Sequence, residues 1–154
     1  MSQSSGRLPV PARASKRAHL ALGQRWVATV DSVNASALEE RVRGICLALP
    51  GATEKVSHGA PAFFAGKQFL MLWIHGHHDH QFPHLWCAAP PGAQEELIAT
   101  EGERFFRPPY VGGRGWLGLR LDRKIDWNEV EAICVDAYRT VASKKMLAAL
   151  DASS

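Results

Sequence analysis

The segment at residues 68–74 constrains the fold most, because six of its seven residues are apolar. A run of this length and composition predicts a central strand that is covered on both faces, or on one face by an interface. A short turn centred on Gly66 separates it from a predicted strand at 61–64, and residues 84–89 predict a third strand. The middle of the chain is therefore expected to form a sheet.

Helix signals begin before this predicted sheet. Ser36 and Glu39 form a capping box, and apolar residues follow them at helical spacing. The pair at 50–51 is Pro-Gly, which ends the pattern because proline cannot donate a backbone hydrogen bond and glycine accepts a left-handed turn. The sequence therefore predicts a helix over about 36–49.

A longer helix is predicted near the end of the chain, over about 126–148. Asp126 caps its first turn, and Trp127 and Tyr138 are expected to be buried on one face of it. The elements predicted between the third strand and this helix are a short helix at about 90–100 and strands at about 104–107 and 116–122.

Basic residues are distributed unevenly along the chain. It has 18 basic and 15 acidic residues, a net charge of +3, but residues 1–30 hold five basic side chains and no acidic one. Residues 1–33 also lack sustained periodicity, so they predict a disordered basic tail; an organellar transit peptide and a nucleic-acid-binding arm are the alternatives. The globular domain is expected at 34–150, and residues 31–154 carry 13 basic and 15 acidic side chains.

One segment of the predicted domain is strongly basic. Residues 104–124 contain six basic side chains and one acidic side chain, Asp122. Arginine forks bind phosphate well, and aromatic neighbours can stack on bases, so the segment favours nucleic acid. A solvated strand pair with a buried aromatic face is the alternative. The candidate nucleic-acid contacts, with one lysine from the turn at 65–67, are Lys67, Arg104, Arg107, Arg114, Arg120, Arg123 and Lys124.

Histidines concentrate in the loop at 75–83, which we term the histidine loop, and His84 follows it. Imidazole binds Zn²⁺, Ni²⁺ or Cu²⁺, but a structural site needs ligands held in fixed geometry, usually by more than one element. A solvated loop is therefore expected, and no resident metal or cofactor is predicted. A physiological metal site and adventitious metal in a purified sample are the alternatives.

Nucleophilic catalysis and dinucleotide binding find little support in the sequence. The chain has three cysteines, Cys46, Cys87 and Cys134, and they form no CxxC pair. This spacing disfavours a disulfide framework, so we expect the protein in a reducing cytoplasm. Cys87 lies three residues after His84 on a predicted strand, so their side chains should point to opposite faces. The segment at 113–118 matches GxGxxG, but a strand pattern follows where a dinucleotide site needs a helix. No membrane span is predicted either.

The order of several motifs resembles the MmcQ/YjbR family of small bacterial proteins. These motifs are Leu-Pro-Gly-Ala at 49–52, His-Gly-Ala-Pro at 58–61, Pro-Pro-Tyr-Val-Gly at 108–112, Gly-Trp-Leu-Gly-Leu-Arg-Leu-Asp at 115–122 and Asp-Trp-Asn-Glu at 126–129. The resemblance covers about 36–148. It implies an α+β fold, a two-layer sandwich in which an antiparallel β-sheet is flanked by helices, similar to the CyaY and secretion-chaperone folds.

The family is described as DNA-binding through a double wing of β-hairpins, and its members have no agreed catalytic residues. The resemblance therefore implies a non-enzymatic DNA-binding protein, with the turn at 65–67 and the loop at 107–116 as candidate grips. A protein- or small-ligand-binding module, acting on a protein partner or as a homodimer, is the alternative. An unrecognised enzyme is the third option.

Overall fold

A computed structural model describes residues 35–77 and 80–153 of the chain. The predicted tail at 1–33 and two residues of the histidine loop, 78 and 79, lie outside this part. The chain divides into two compact units, Met1–Ala37 and Leu38–Ser154, and the second contains the sheet.

Six strands form one antiparallel sheet in the described residues. They are β1 (Thr53–Ser57), β2 (Ala60–Ala65), β3 (Lys67–Trp73), β4 (His84–Cys87), β5 (Phe105–Phe106) and β6 (Leu117–Arg120). Their order across the sheet is β1-β2-β3-β4-β6-β5, so β3 and β4 are the central strands. The apolar segment at 68–74 is therefore the central strand that its composition predicts, and residues 69–74 are all buried.

Four helices accompany the sheet in the described part of the chain. They are residues 35–47 (α1), Ala93–Glu101 (α2), Trp127–Val141 (α3) and Lys144–Ala152 (α4). The prediction of one last helix over 126–148 is wrong. The backbone is extended at Ala142, and the Ser143 side chain accepts a hydrogen bond from the Met146 amide and so begins a new helix. A serine cap satisfies an amide that a continuous helix would otherwise use, which favours the break.

One face of the central strands packs on α3 and is termed the helix face. Leu72 of β3 and Leu85 of β4 are paired on this face and fully buried. Tyr138 of α3 is also fully buried, and its ring meets Phe69 edge-on with centroids 5.8 Å apart. The Tyr138 hydroxyl donates a hydrogen bond to the Pro50 carbonyl oxygen at 2.6 Å. One tyrosine therefore joins the sheet, α3 and the segment that follows α1.

Trp127 is not part of this core, so the expectation that it is buried with Tyr138 is wrong. It is the first residue of α3 and only half-buried. The Arg41 guanidinium lies over its ring, 4.8 Å from the centroid. Because Trp127 is at the first helical position, its side chain lies at the margin of the packed layer. There the Arg41 guanidinium covers it, and the sheet does not.

We predict that Tyr138 contributes more stability than Trp127. Tyr138→Ala should lower the free energy of unfolding by about 3–5 kcal/mol, as for other large buried aromatic side chains. Tyr138→Phe should cost about 1–2 kcal/mol, because it removes only the hydroxyl and its hydrogen bonds to the carbonyls of Pro50 and Met146. Trp127→Ala should cost less than Tyr138→Ala in urea denaturation. Equal losses for the two alanine variants would contradict this description of the core.

Candidate nucleic-acid interface

The two loops predicted to grip DNA lie at the same end of the sheet. Gly66 joins β2 to β3, and residues 107–116 join β5 to β6. Cys87 of β4 pairs with Leu70 of β3 on one side and with Leu117 of β6 on the other, so β3 and β6 both start at this end. One strand separates β3 from β6, so these two strands lie about 10 Å apart across the sheet. This end is termed the hairpin end.

The seven predicted phosphate contacts do not form one patch. Both groups lie in connections between elements or at strand ends, but at opposite ends of the sheet. At the hairpin end are Lys67, Arg107 and Arg114; at the far end are Arg104, Arg120, Arg123 and Lys124.

Two arginines at the far end already bind carboxylates of the same chain. Arg104 donates to Glu129, with one Nη2–Oε2 distance of 2.9 Å, and also to Glu101. Arg120 donates from Nε and Nη2 to the two oxygens of Asp122, at 2.9 and 2.7 Å. These hydrogen bonds raise the pKa of both guanidinium groups and lower the pKa of Glu129 and Asp122. Their donors are therefore engaged within the protein.

The three cations at the hairpin end have different surroundings. Within residues 35–77 and 80–153, none of them lies within ion-pair distance of a carboxylate. The Arg107 Nη1 atom lies 3.5 Å from the side-chain oxygen of Gln94, and the Arg114 guanidinium lies 5.4 Å from the centre of the Trp116 ring. Both arginines therefore keep their charge uncompensated at close range.

A buried amide fixes the loop at 107–116. Gln94 of α2 is 4% exposed, and its Nε2 donates hydrogen bonds to the carbonyls of Gly112 at 2.9 Å and Trp116 at 2.5 Å. These carbonyls flank a single turn of 3₁₀ helix (Gly112–Arg114). The Arg107 side chain crosses this turn so closely that a Cβ on Gly112 would lie 2.6 Å from its Cγ, so a larger residue there would displace Arg107. The sequence gives no signal that separates Gln94 from its exposed neighbours on α2.

Tyr110 is the most exposed large apolar side chain in the described part of the chain, at 81%. It is also strained. The Val111 amide donates to the Pro109 carbonyl oxygen at 2.6 Å, and Tyr110, between them, has a φ of +67°. This is a γ-turn with a positive φ at its centre, a rare and strained form, and positive φ is a genuine outlier for a bulky residue. Backbone strain of this kind clusters at functional sites.

The face of the sheet opposite the helix face carries aromatic side chains and is termed the aromatic face. Trp73 of β3 pairs with His84 of β4, and the next pair on the same face includes Trp86. On β6 this face continues at Gly118, where the Phe106 ring lies so close that a Cβ on Gly118 would be 2.4 Å from it. Because Gly118 has no side chain, the Phe106 ring can occupy the space that a Cβ would fill.

The histidine loop packs on the aromatic face, so the expectation of a solvated loop is wrong for its described inner histidines. The His77 ring centroid lies 4.2 Å from Trp73 and 5.0 Å from Trp86. His80 stacks on Phe106 at 4.4 Å. The imidazole is polar at its nitrogens but flat and aromatic on its faces, so its faces can pack on tryptophan and phenylalanine. His77 also meets Tyr110 edge-on at 6.3 Å, which links the two loops.

His84 lies fully buried beneath this loop. Its Nδ1 donates a hydrogen bond to the Phe82 carbonyl at 2.8 Å, which leaves Nε2 as the unprotonated nitrogen. Burial lowers the pKa of His84 to about 4; the bond to Phe82 opposes this shift, and the charges of His80, His77 and Arg120 add to it. His84 is therefore neutral at pH 7.

Three buried nitrogens on the aromatic face have no hydrogen-bond partner among the described residues. They are Nε1 of Trp73, Nε1 of Trp86 and Nε2 of His84. Despite the number of histidines, no three or more His, Cys, Asp or Glu side chains of the described residues are grouped to hold a metal ion.

The cysteines meet on the opposite side of the sheet. A hydrogen bond between Cys46 and Cys134 and then burial raise the pKa of the Cys46 thiol, and burial raises that of Cys87. Protonated, buried thiols are poor nucleophiles. Cys87 lies on the helix face and His84 on the aromatic face, as the strand spacing predicts. The GxGxxG match at 113–118 leads into strand β6, so it lacks the helix of a dinucleotide site.

A groove of about 620 Å³ runs between α1, α3 and α4. Ile45, Leu49 and Val135 line it together with charged residues such as Glu40 and Arg139. It belongs to the helical layer and is separate from the hairpin end.

The sequence model of the YjbR family matches residues 47–140, more than half of the chain. The chain belongs to the YjbR family. Its fold is similar to that of the crystal structure of protein DR2400 from Deinococcus radiodurans, which contains a DUF419 domain. The two are 18% identical with a TM-score of 0.55, over 67% of this chain and 77% of the other. That likeness confirms the α+β fold alone. No curated protein matches the chain.

The match to the YjbR family includes the hairpin end, Gln94, Tyr110 and the aromatic face, whereas α4 lies beyond it. The membership inferred from motif order is thus confirmed. None of the helices in the described part of this YjbR chain has the length and apolarity that crossing a bilayer requires.

We predict that His84 makes the stability of this YjbR domain depend on pH between 8 and 5. The unfolded chain takes up a proton on His84 near pH 6.5, whereas the folded chain takes it up near pH 4. Stability is therefore complete above the unfolded pKa and falls as the pH is lowered toward the folded pKa. Between pH 8 and pH 5 the loss should be about 2 kcal/mol.

The measurement is urea denaturation across this range for the parent, His84→Gln and the exposed-site control His75→Gln. The carboxylates remain ionised above pH 5 in both states, so they add little. The parent and His75→Gln should lose stability in parallel, and His84→Gln should lose less. The same pH slope for all three proteins would rule out His84 as its source.

Proposed function

We propose that this YjbR domain binds DNA through phosphate contacts at the hairpin end of its sheet. One observation carries the proposal: two hairpin connections project from the same end, with three cations that have no carboxylate partner among the described residues. These are Lys67, Arg107 and Arg114. A cation that is not already paired can bind a phosphate without giving up an ion pair, which favours these three.

The far end of the sheet contributes less in this proposal. Arg104 and Arg120 would have to release Glu129 and Asp122 before they could bind phosphate bidentately. Arg123 lies 4.0 Å from Asp122 as well. Of the seven predicted phosphate contacts, the three at the hairpin end are therefore the ones that we propose to bind DNA first. We propose binding without a catalytic step and assign no catalytic residue.

The salt dependence of DNA affinity tests this proposal. Each phosphate contact adds about −0.9 to the log–log slope for duplex DNA and about −0.7 for a single strand. In the full chain, the double variant Arg107→Gln/Arg114→Gln should weaken binding to all sequences alike and reduce the slope by about 1.4–1.8. Affinity is measured by fluorescence anisotropy between about 50 and 200 mM salt.

The matched control removes the same charge from a different surface. Lys144→Gln/Lys145→Gln changes two exposed lysines at the start of α4, and it should leave the slope unchanged. A synthetic peptide of residues 1–33 gives the contribution of the basic N-terminal segment. If the arginine and lysine double variants behave identically, or if the peptide accounts for all the affinity, the proposed interface is wrong.

The groove between α1, α3 and α4 favours a second candidate, a protein- or small-ligand-binding module. Its apolar lining is accessible, and charged residues accompany that lining, as at many protein interfaces. Ala48→Arg places a charge in this groove and should leave DNA affinity unchanged. Self-association that is seen by sedimentation in the parent and lost in Ala48→Arg would support the second candidate over the first.

A further inference from the structure

We infer that the DNA bound at the hairpin end is single-stranded, and that the ring of Tyr110 stacks on an unpaired base. This inference rests on the proposed function and adds to it the form of the nucleic acid and the residue that selects it.

The conformation of Tyr110 is the first observation. A bulky residue at the centre of a γ-turn with positive φ is strained, and packing of the side chain normally compensates such strain. Here the ring is 81% exposed, so burial within the domain does not compensate it. Pro108, two residues before, is fully buried and anchors the loop. The loop therefore holds an aromatic ring outward at a cost that an external partner would offset.

The surroundings of Tyr110 are the second observation. His77 meets the ring edge-on at a centroid distance of 6.3 Å, which steadies it while most of its surface stays open. Arg107 and Arg114 lie three residues before and four residues after it in the same loop, and neither is paired with a carboxylate of the described residues. An exposed ring between cations is the arrangement that binds single strands, because every base has a π-face and every nucleotide a phosphate.

The number of cations also favours a single strand over a duplex. The affinity of a protein for the duplex backbone rises with the number of phosphates that it neutralises. The hairpin end supplies three cations without a carboxylate partner among the described residues, and the other four predicted contacts lie at the far end. In a duplex the base faces are covered by their neighbours, so Tyr110 could stack there only after a base step is unstacked, which costs free energy. In a single strand, stacking adds to the few phosphate contacts.

The experiment compares strand forms and Tyr110 variants in the full chain. The probes are a 12-nucleotide oligo(dT), a 12-nucleotide oligo(U) and the oligo(dT)–oligo(dA) duplex of the same length, followed by fluorescence anisotropy at constant salt. The parent should bind oligo(dT) more tightly than the duplex. Oligo(U) separates a DNA strand from an RNA strand: tight binding of oligo(dT) supports the inference, and tight binding of oligo(U) alone contradicts the assignment to DNA.

Tyr110→Gly should lower the affinity for oligo(dT) by about 5- to 150-fold, the range that loss of one base–aromatic stack predicts. Duplex affinity should stay unchanged. Because glycine adopts a φ of +67° without strain, the melting temperature of this variant should be no lower than that of the parent, which excludes misfolding as the cause. Tyr110→Phe keeps the ring and should bind like the parent. Val56→Ala is the control at another exposed apolar side chain.

Two results would overturn the inference, and they separate it from the proposed function. If Tyr110→Gly binds oligo(dT) like the parent, or if the duplex binds more tightly, stacking is wrong. Should Arg107→Gln/Arg114→Gln still weaken binding in that case, DNA binding at the hairpin end stands as phosphate binding without base stacking. If neither variant changes the affinity for either form, the proposed function fails together with the inference.

Discussion

The hydrogen bonds of one buried amide determine the shape of the candidate site. Gln94 donates to the carbonyls of Gly112 and Trp116, and these two bonds hold the loop between β5 and β6 against α2. Without them, the buried Trp116 carbonyl would lose a partner, at a cost of about 1–3 kcal/mol, and the Gly112 carbonyl would keep only its bond from the Gly115 amide. Because this anchor lies inside the domain, the loop can present strained Tyr110 and two unpaired arginines on a fixed support. Preorganisation of this kind lowers the entropic cost of binding.

The two faces of the sheet illustrate different ways of covering apolar surface. The helix face is covered by α3 through Tyr138 and aliphatic side chains. The aromatic face is covered by imidazole rings of a loop, and among the described residues it retains buried nitrogens without partners on Trp73, Trp86 and His84. Burial lowers the pKa of His84, so protonation of this buried ring is costly and makes the aromatic face sensitive to pH. Because the His77 ring on the aromatic face contacts Tyr110, this pH-sensitive face adjoins the proposed interface.

Much of the fold follows from local sequence patterns, whereas the site depends on contacts that local patterns do not encode. The apolar run at 68–74 predicts the central strand because a strand that is buried on both faces consists almost entirely of apolar residues. The pairing of Arg104 with Glu129 joins residues 25 positions apart, so a local count of charge overstates the cations available in 104–124. A hydrophobic-periodicity pattern treats His77 and His80 as polar residues, yet their ring faces pack on tryptophan and phenylalanine. The break at Ser143 is missed because helical spacing continues across it.

The central claim is that nucleic acid meets the hairpin end of the sheet, and backbone amide chemical shifts test it most directly. In a ¹⁵N-labelled full chain titrated with oligo(dT), we predict that the largest shift changes fall at Gly66 and Lys67, at Arg107 and across residues 110–115. The amides of α4 and of the groove beside α1 should stay in place. Changes confined to residues 1–34, or centred on the groove between α1, α3 and α4, would contradict the account.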